Sequence, residues 1–589
     1  MYLPRNRSIE IAALAILLCL FCLIPREGTA QNVQPKNPDR VSGVVVNSVS
    51  HEPIARALVV SNDERFAALT DINGRFEFVF AEAAAGNDAA AGPGRPGMNL
   101  VGYRPYAFTA RKPGFLSPQN DQGVTLSSVP EGKEVEIALV PEALIVGHIA
   151  LPTSEPPDPI EVELYQRQVR NGRAHWVSVG VQATRSDGEF RFAGLTAGTY
   201  KLLTHELMDE DPKTAAPGGQ MYAYAPVYYP NANGFASAGT IQLTPGKIVH
   251  ANLSLVRQPY FPVIVPVASV PPGVRGVNVK VSAQGRDGPG FALGYDPQKQ
   301  MIVGSLPNGS YRLEATIYGG QVLSGVTNIT VRGGSEGMVL PLAACPPVMV
   351  NVKEQFTAEV APGTTTITRG VAGRTTSQQR KYDISVMFEP ADDFRAQQQI
   401  ASRGRSDTQP DSLQMDNVAP GRYWVQVYPS HGYAASVTAG GVDLRRQPLV
   451  VPSGNSVPTI EVTLRDESAT VEGMVEGVSG LSGSAAPMSQ GPNISVGPPS
   501  SASSARLYFI PMGDSTGRFM EAFVDKSGSF SAASLPPGEY RVLAFSDAQP
   551  ELEYENPEAM LAYDGKGQVI RLAAGQKERV QLQLISSSE

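Results

Sequence analysis

Gly513-Asp514-Ser515-Thr516-Gly517 has the Gly-x-Ser-x-Gly spacing of a hydrolase nucleophile elbow. An elbow needs a strand, a sharp turn and a helix, so that the serine is raised toward a base. Residues 506–511 before it and 518–524 after it both read as strands, which predicts a hairpin loop. The six histidines, His51, His148, His175, His205, His250 and His431, form no His-Glu-x-x-His or other close ligand spacing, so no metal site and no cofactor are expected. Asp71-Ile72-Asn73-Gly74 resembles the start of an oxygen-ligand calcium loop but lacks the distal glutamate. With the similar turns at 186–188 and 525–528 it reads as a hairpin turn. The strongest binding candidates are Tyr222, Tyr224, Tyr228 and Tyr229, with Trp176 in the same module. Flat aromatic faces stack on sugars or peptides at low entropic cost. The same rings could instead complete a core or a contact between domains, as could Trp424.

These residues must be carried by a repeated element. Leu535-x-x-Gly538-x-Tyr540, with Phe530 ten residues before the tyrosine, recurs as Phe190, Leu195, Gly198, Tyr200. It recurs again as Met301, Leu306, Gly309, Tyr311 and as Leu413, Val418, Gly421, Tyr423. The tyrosines stand 111, 112 and 117 residues apart, the size of one β-sandwich. A tyrosine opening a strand just after a corner can bury its ring while its hydroxyl bonds upstream backbone. After Tyr311 and Tyr423 the apolar residues alternate, as on a strand with one buried and one wetter face.

A chain of 589 residues with 58 Gly and 49 Pro is too long for one core and rich in turns, which favours an all-β array. Arg5 and Arg7 precede an uncharged apolar run at 11–24, and Gly28-Thr29-Ala30 places small residues for cleavage after Ala30. This is a secretory signal layout, and the run is short for a spanning helix. An uncleaved anchor at this segment is the alternative and the only membrane link expected. The net charge of −8 argues against nucleic acid as a partner, because phosphates demand basic surface. Beyond the signal only Cys345 remains, so no internal disulfide can form.

In order, the expected units are a signal peptide at 1–30, a flexible lead at 31–40, and modules at 41–142, 143–257, 258–344, 345–467 and 468–589. The last carries a Ser/Gly/Pro-rich insertion at 477–504. Short linkers between closing and opening strands predict a semi-rigid rod. In module one the runs VSGVVVN, HEPIARALVV, TDINGRFEF and FTARKPGF resemble the carboxypeptidase regulatory-like domain. That family has a transthyretin-like sandwich and is similar to the B-type repeats of collagen adhesins. The resemblance implies Greek-key sandwiches, transthyretin-like or immunoglobulin-like, outside the cytoplasm, and no catalytic residue. Module one departs from the corner frame, with Gly102-x-x-x-Tyr106 in place of Gly-x-Tyr. B-type repeats carry a lysine-based isopeptide crosslink, and the opening strands of this chain lack the lysine, so none is expected.

Three functions follow in order. The first is a non-catalytic, secreted or periplasmic array at the cell envelope, serving adhesion, binding or spacing, with a glycan or an envelope or extracellular protein as partner. The second is carbohydrate binding through the tyrosine segment of module two, on a starch-binding-like fold. The third is a serine hydrolase at Ser515.

Overall fold

The computed structural model describes residues 39–80, 107–116, 134–152, 159–209, 219–285, 288–334, 338–357, 384–394, 412–454, 456–478, 502–513 and 517–585, with seven short strands between them. The signal segment, the lead to residue 38, the loop at 81–97, Tyr106 and Ser515 lie outside the described residues. Apart from one helical turn, Pro557–Met560, and the 3-10 turn Leu561–Tyr563, the described elements are strands. The protein is an all-β tandem array. The first strand is Asp39–Asn47, so it starts inside the segment expected to be a flexible lead.

Among the described residues the five largest hydrophobic clusters follow one another along the chain, spanning 41–139, 143–255, 263–342, 348–464 and 469–582. Each is enclosed by two sheets with one wiring. The opening strand pairs antiparallel with the strand before the corner and parallel with a strand that closes its module, the last one in four modules and the last but one, Leu340–Pro341, in module three. In module five these are Ala469–Glu476, Ser529–Leu535 and Lys577–Gln583. The second sheet centres on the strand after the corner. Gly538–Phe545 lies between Ala502–Pro511 and Gln568–Leu572 there. Because first and last strands run parallel, the chain leaves a module at the end opposite its entry. A few residues then suffice to start the next, as from Val135–Leu139 to Ala143–Ala150.

The corner transfers the chain from one sheet to the other. The following strands Gly198–Thr204, Gly309–Ile317, Gly421–Pro429 and Gly538–Phe545 each begin on the corner glycine. Tyr200, Tyr311, Tyr423 and Tyr540 are buried. Each phenol donates to the carbonyl four residues back: Thr196 at 2.9 Å, Pro307 at 2.8 Å, Ala419 at 2.7 Å and Pro536 at 2.7 Å. The carbonyls belong to the corner, where no sheet partner is available, so the phenol satisfies a group that would otherwise be orphaned.

A second device appears in modules one, two and five. The opening strand carries Gly43, Gly147 or Gly473, in register with Phe76, Phe190 or Phe530. A Cβ on these glycines would stand 2.3, 2.1 or 1.9 Å from a carbonyl oxygen of the closing segment, and the phenylalanine ring lies over the same spot. In modules three and four the same register pairs Pro266 with Met301 and Val350 with Leu413. Glycine and phenylalanine are therefore present together or absent together.

Strands after the corner differ in a way the sequence foreshadows. Gly309–Ile317 and Gly421–Pro429 alternate buried with wetter positions, whereas Leu202, Leu203, Val542 and Leu543 are all buried. A run buried on both faces needs a second cover. In module five that cover is the connection after the strand, which places Leu552, Tyr554, Met560 and Tyr563 over Tyr508, Leu543 and Phe545. In module two it is residues 228–238, joined by Phe394 from module four.

Tyr540→Phe removes two hydrogen bonds, the donation to the Pro536 carbonyl and the long one accepted from the Arg518 N–H at 3.3 Å, and should destabilise module five by roughly 1–3 kcal/mol, whereas Gly473→Ala should cost roughly 1–3 kcal/mol by overpacking. Hydrogen exchange of the amides in Gly538–Phe545 measures both; equal protection in the wild type and both variants would refute these roles.

Candidate functional site

The tyrosine segment of module two is built into the protein's interior seams. Met221–Tyr224 pairs antiparallel with Arg257–Ala268, so it extends the first sheet of module three. Tyr224 is buried in the core of module two. The half-buried Tyr222 ring lies under the Arg257 guanidinium, 3.9 Å away. Tyr228 is buried and its hydroxyl donates to the Pro289 carbonyl of module three at 2.7 Å. Tyr229 is half-buried against the core of module two. The segment reads as apolar because it is packed, and Tyr224 and Tyr228 present no face to a ligand. Trp176 meets the Phe235 ring edge-on at 5.6 Å, and so belongs to the same seam.

Beneath Trp176 lies a cation that the sequence pattern did not single out. Lys201 is 7% exposed, donates to the Phe235 carbonyl at 2.7 Å, and sits 5.0 Å from the Trp176 ring and 4.8 Å from the Phe235 ring. Burial lowers its pKa, against the pull of Asp393. Glu163, on the adjacent strand of the same sheet, accepts from Ser178 Oγ at 2.6 Å and pairs with His205 Nε2 at 2.8 Å. Burial opposes its charge, but the His205 and Ser178 hydrogen bonds prevail and hold the carboxyl below its ordinary range. His205 is raised, chiefly by that same bond. A nucleophile relay needs the histidine between hydroxyl and acid. In this trio the acid is in the middle and the Ser178 hydroxyl meets a carboxylate, not an imidazole, so the three residues form a fastening.

Glu206 is the next residue and closes the seam with module three. It accepts from the Ala292 N–H at 2.8 Å, while its own N–H donates to the Gly290 carbonyl at 3.0 Å. Burial pushes its carboxyl up to about 7, against the Ala292 amide and Tyr260.

Another seam is formed by a long hairpin of module two, Glu161–Arg170 and Arg173–Ala183. Its tip reaches modules four and five. Arg173 pairs with Glu555 at 3.0 Å and lies 3.8 Å above the Trp424 ring. Arg167 pairs with Glu553, which that bond holds below the ordinary carboxylate range. Asn171 donates to Glu389 of module four at 2.8 Å, and the Trp176 N–H donates to Asp393 at 3.2 Å. Gly172, at φ 73°, rests on the Tyr554 ring, which a Cβ would meet at 2.6 Å. The outward position of Trp424 thus becomes a contact between modules. The expected rod is corrected by these contacts: module two lies against modules four and five as well as three. Local pattern reports the strands of a hairpin but not what its tip meets.

Elsewhere the expected sites are structural. Asp71 accepts from the Asn73 and Arg75 amides at 2.9 and 2.8 Å, as a turn residue does. Strands Ala502–Pro511 and Met520–Asp525 pair across the segment that holds Ser515, so a strand stands where an elbow would require a helix. Among the described residues no group of three or more His, Cys, Asp or Glu is arranged to hold a metal. No helix there is long and apolar enough to cross a membrane.

No protein-family model and no characterised protein sequence matches the chain. Solved structures that do match include the Bacillus anthracis TIE protein, 9% identical over 75% of this chain and 74% of that one, with a TM-score of 0.14. A streptococcal ancillary pilin is 10% identical over 55% of this chain and 99% of its own, at TM-score 0.19. The minor pilin of Streptococcus agalactiae is 13% identical over 35% and 96%, at 0.15. The assignment of the fold rests on the chain's own strand pairing.

The seam between modules two and three should be pH-sensitive. His205 and Glu206 both have raised folded pKa values. Their contribution is complete below the unfolded values and is lost as pH climbs through the folded ones. For Glu206 the window runs from 4.5 to about 7 and is worth at most on the order of 3 kcal/mol. The melting temperature should fall between about pH 5 and pH 8. Glu206→Gln should flatten that fall and raise the value at the upper end by a few degrees. Scanning calorimetry across the range decides it, and an unchanged slope in the variant would remove Glu206 from the account.

Proposed function

We propose that the protein is a non-catalytic extracytoplasmic scaffold of the cell envelope, serving adhesion, binding or spacing through its β-sandwich modules. The observation that carries this reading is the employment of its reactive side chains. Lys201, Glu163, His205, Glu206 and the Arg173–Glu555 pair all hold packed segments or modules together. Enzymes keep such groups facing a cleft where substrate can meet them. The signal layout at 1–30 supports export, and the resemblance of module one to carboxypeptidase regulatory-like domains supports an extracytoplasmic setting. Carbohydrate recognition through the tyrosine segment is less favoured, because Tyr224 and Tyr228 are buried.

Two measurements test the proposal. Fractionation with N-terminal sequencing should find the chain outside the cytoplasm with Gln31 first; recovery in the cytosol with residues 1–30 intact would overturn the envelope assignment. A fluorophosphonate probe should leave the protein unlabelled, and labelling abolished by Ser515→Ala would replace the scaffold with a hydrolase.

A further inference from the structure

The module-two hairpin overhangs its own sheet. Strand Glu161–Arg170 is paired with Gly198–Thr204 only from Val162 to Gln166. Beyond Gln166, residues 167–176 have only each other as strand partners. Asn171 at φ 47° and Gly172 at φ 73° close the turn, the geometry that matches strand twist and sets a hairpin without outside help. The tip is therefore preformed and projects from module two.

What receives it comes from two other modules. Glu389 and Trp424 belong to module four, and Glu553, Tyr554 and Glu555 to module five. The two modules meet there through Arg518, whose guanidinium stands 4.4 Å from the Tyr428 ring. Charge is complementary: the tip carries Arg167, Arg170 and Arg173, while residues 547–558 carry five acids and no base. Partly exposed ion pairs are individually weak. Closure within one chain thus owes much to the high effective concentration that tethering provides. Nothing in the contacts requires the two halves to share a chain.

We propose that the cleft between modules four and five is a binding site for the Arg167–Arg173 hairpin tip, and that its partner in trans is the tip of a second copy of this protein. Exchange of the tip remakes the Arg167, Asn171, Gly172 and Arg173 contacts of the closed form, which is the condition for domain swapping, while the contacts of Trp176 and Phe235 with Asp393 and Phe394 open or exchange with it. The proposal rests on these contacts alone and stands or falls apart from the envelope reading.

Complementary full-length variants test it. Arg167→Glu with Arg173→Glu spoils the tip and leaves the cleft intact; Glu553→Arg with Glu555→Arg spoils the cleft and leaves the tip intact. Each alone should be monomeric, with a larger radius of gyration by X-ray scattering than the wild type. An equimolar mixture at about 50 mM salt should give a species of about twofold mass by light scattering, dispersed by high salt. The chain bearing all four changes restores opposite charges and should regain the wild-type radius, which also shows that the variants fold. An opened pair that stays monomeric on mixing would overturn association in trans. An unchanged radius in both double variants would show that these pairs do not hold the tip, and would overturn the site itself.

Discussion

Three of the five modules depend on how closely the opening strand can approach the closing one. In modules one, two and five a carbonyl oxygen, Val135 O, Ala251 O or Val580 O, fills the space a side chain would need on Gly43, Gly147 or Gly473. The facing phenylalanine then covers the exposed backbone, restoring apolar contact that glycine cannot supply. There the opening strand lies between its two partners, with the parallel pairing that sends the chain out at the far end. Modules three and four reach the same wiring without the pair, through the twelve-residue strand Arg257–Ala268 and through Val348–Gln355.

Corners and covers then decide how modules meet. A phenol bonded to the carbonyl four residues back stands where the chain leaves one sheet and enters the other. Where the following strand alternates, its outer face is left for other contacts; in module four that face offers Trp424 and Gln426, and Trp424 takes Arg173. Where the strand is apolar throughout, as in modules two and five, the second face must be covered, and the covers carry the seams. Phe235 and Tyr228 cover module two and touch modules four and three. Tyr554 covers module five, stacks on Phe519 at 3.9 Å and supports the hairpin tip. A need to bury apolar surface locally has thus produced contacts that bend the array back on itself.

Polar groups in the seams follow the usual rule of burial, in which charge is admitted only with partners. Lys201 has backbone carbonyls and aromatic faces, Glu163 has a histidine and a hydroxyl, and Glu389 has the Asn171 and Gln426 amides. Cys345, buried beside Ser324 Oγ at 3.3 Å, has its thiol pushed up by burial, as suits a packing residue.

By itself the sequence determined the all-β class, the corner frame and the hairpin turns, because each depends on residues a few positions apart. The ten-residue spacing from Phe530 to Tyr540 spans a single corner, and the Asp525 turn is held by the amides of Ser527 and Ser529. Only the tertiary structure decided that Met221–Tyr224 is a strand of a neighbouring sheet, that Lys201 lies among aromatic rings, and that Arg167 meets a glutamate 386 residues away. A signal for the last was present, since a basic hairpin and an acidic segment are both visible as text. Charge pattern names complementary surfaces but carries no distance, and it is the packing of covers on twice-buried strands that brings these two together.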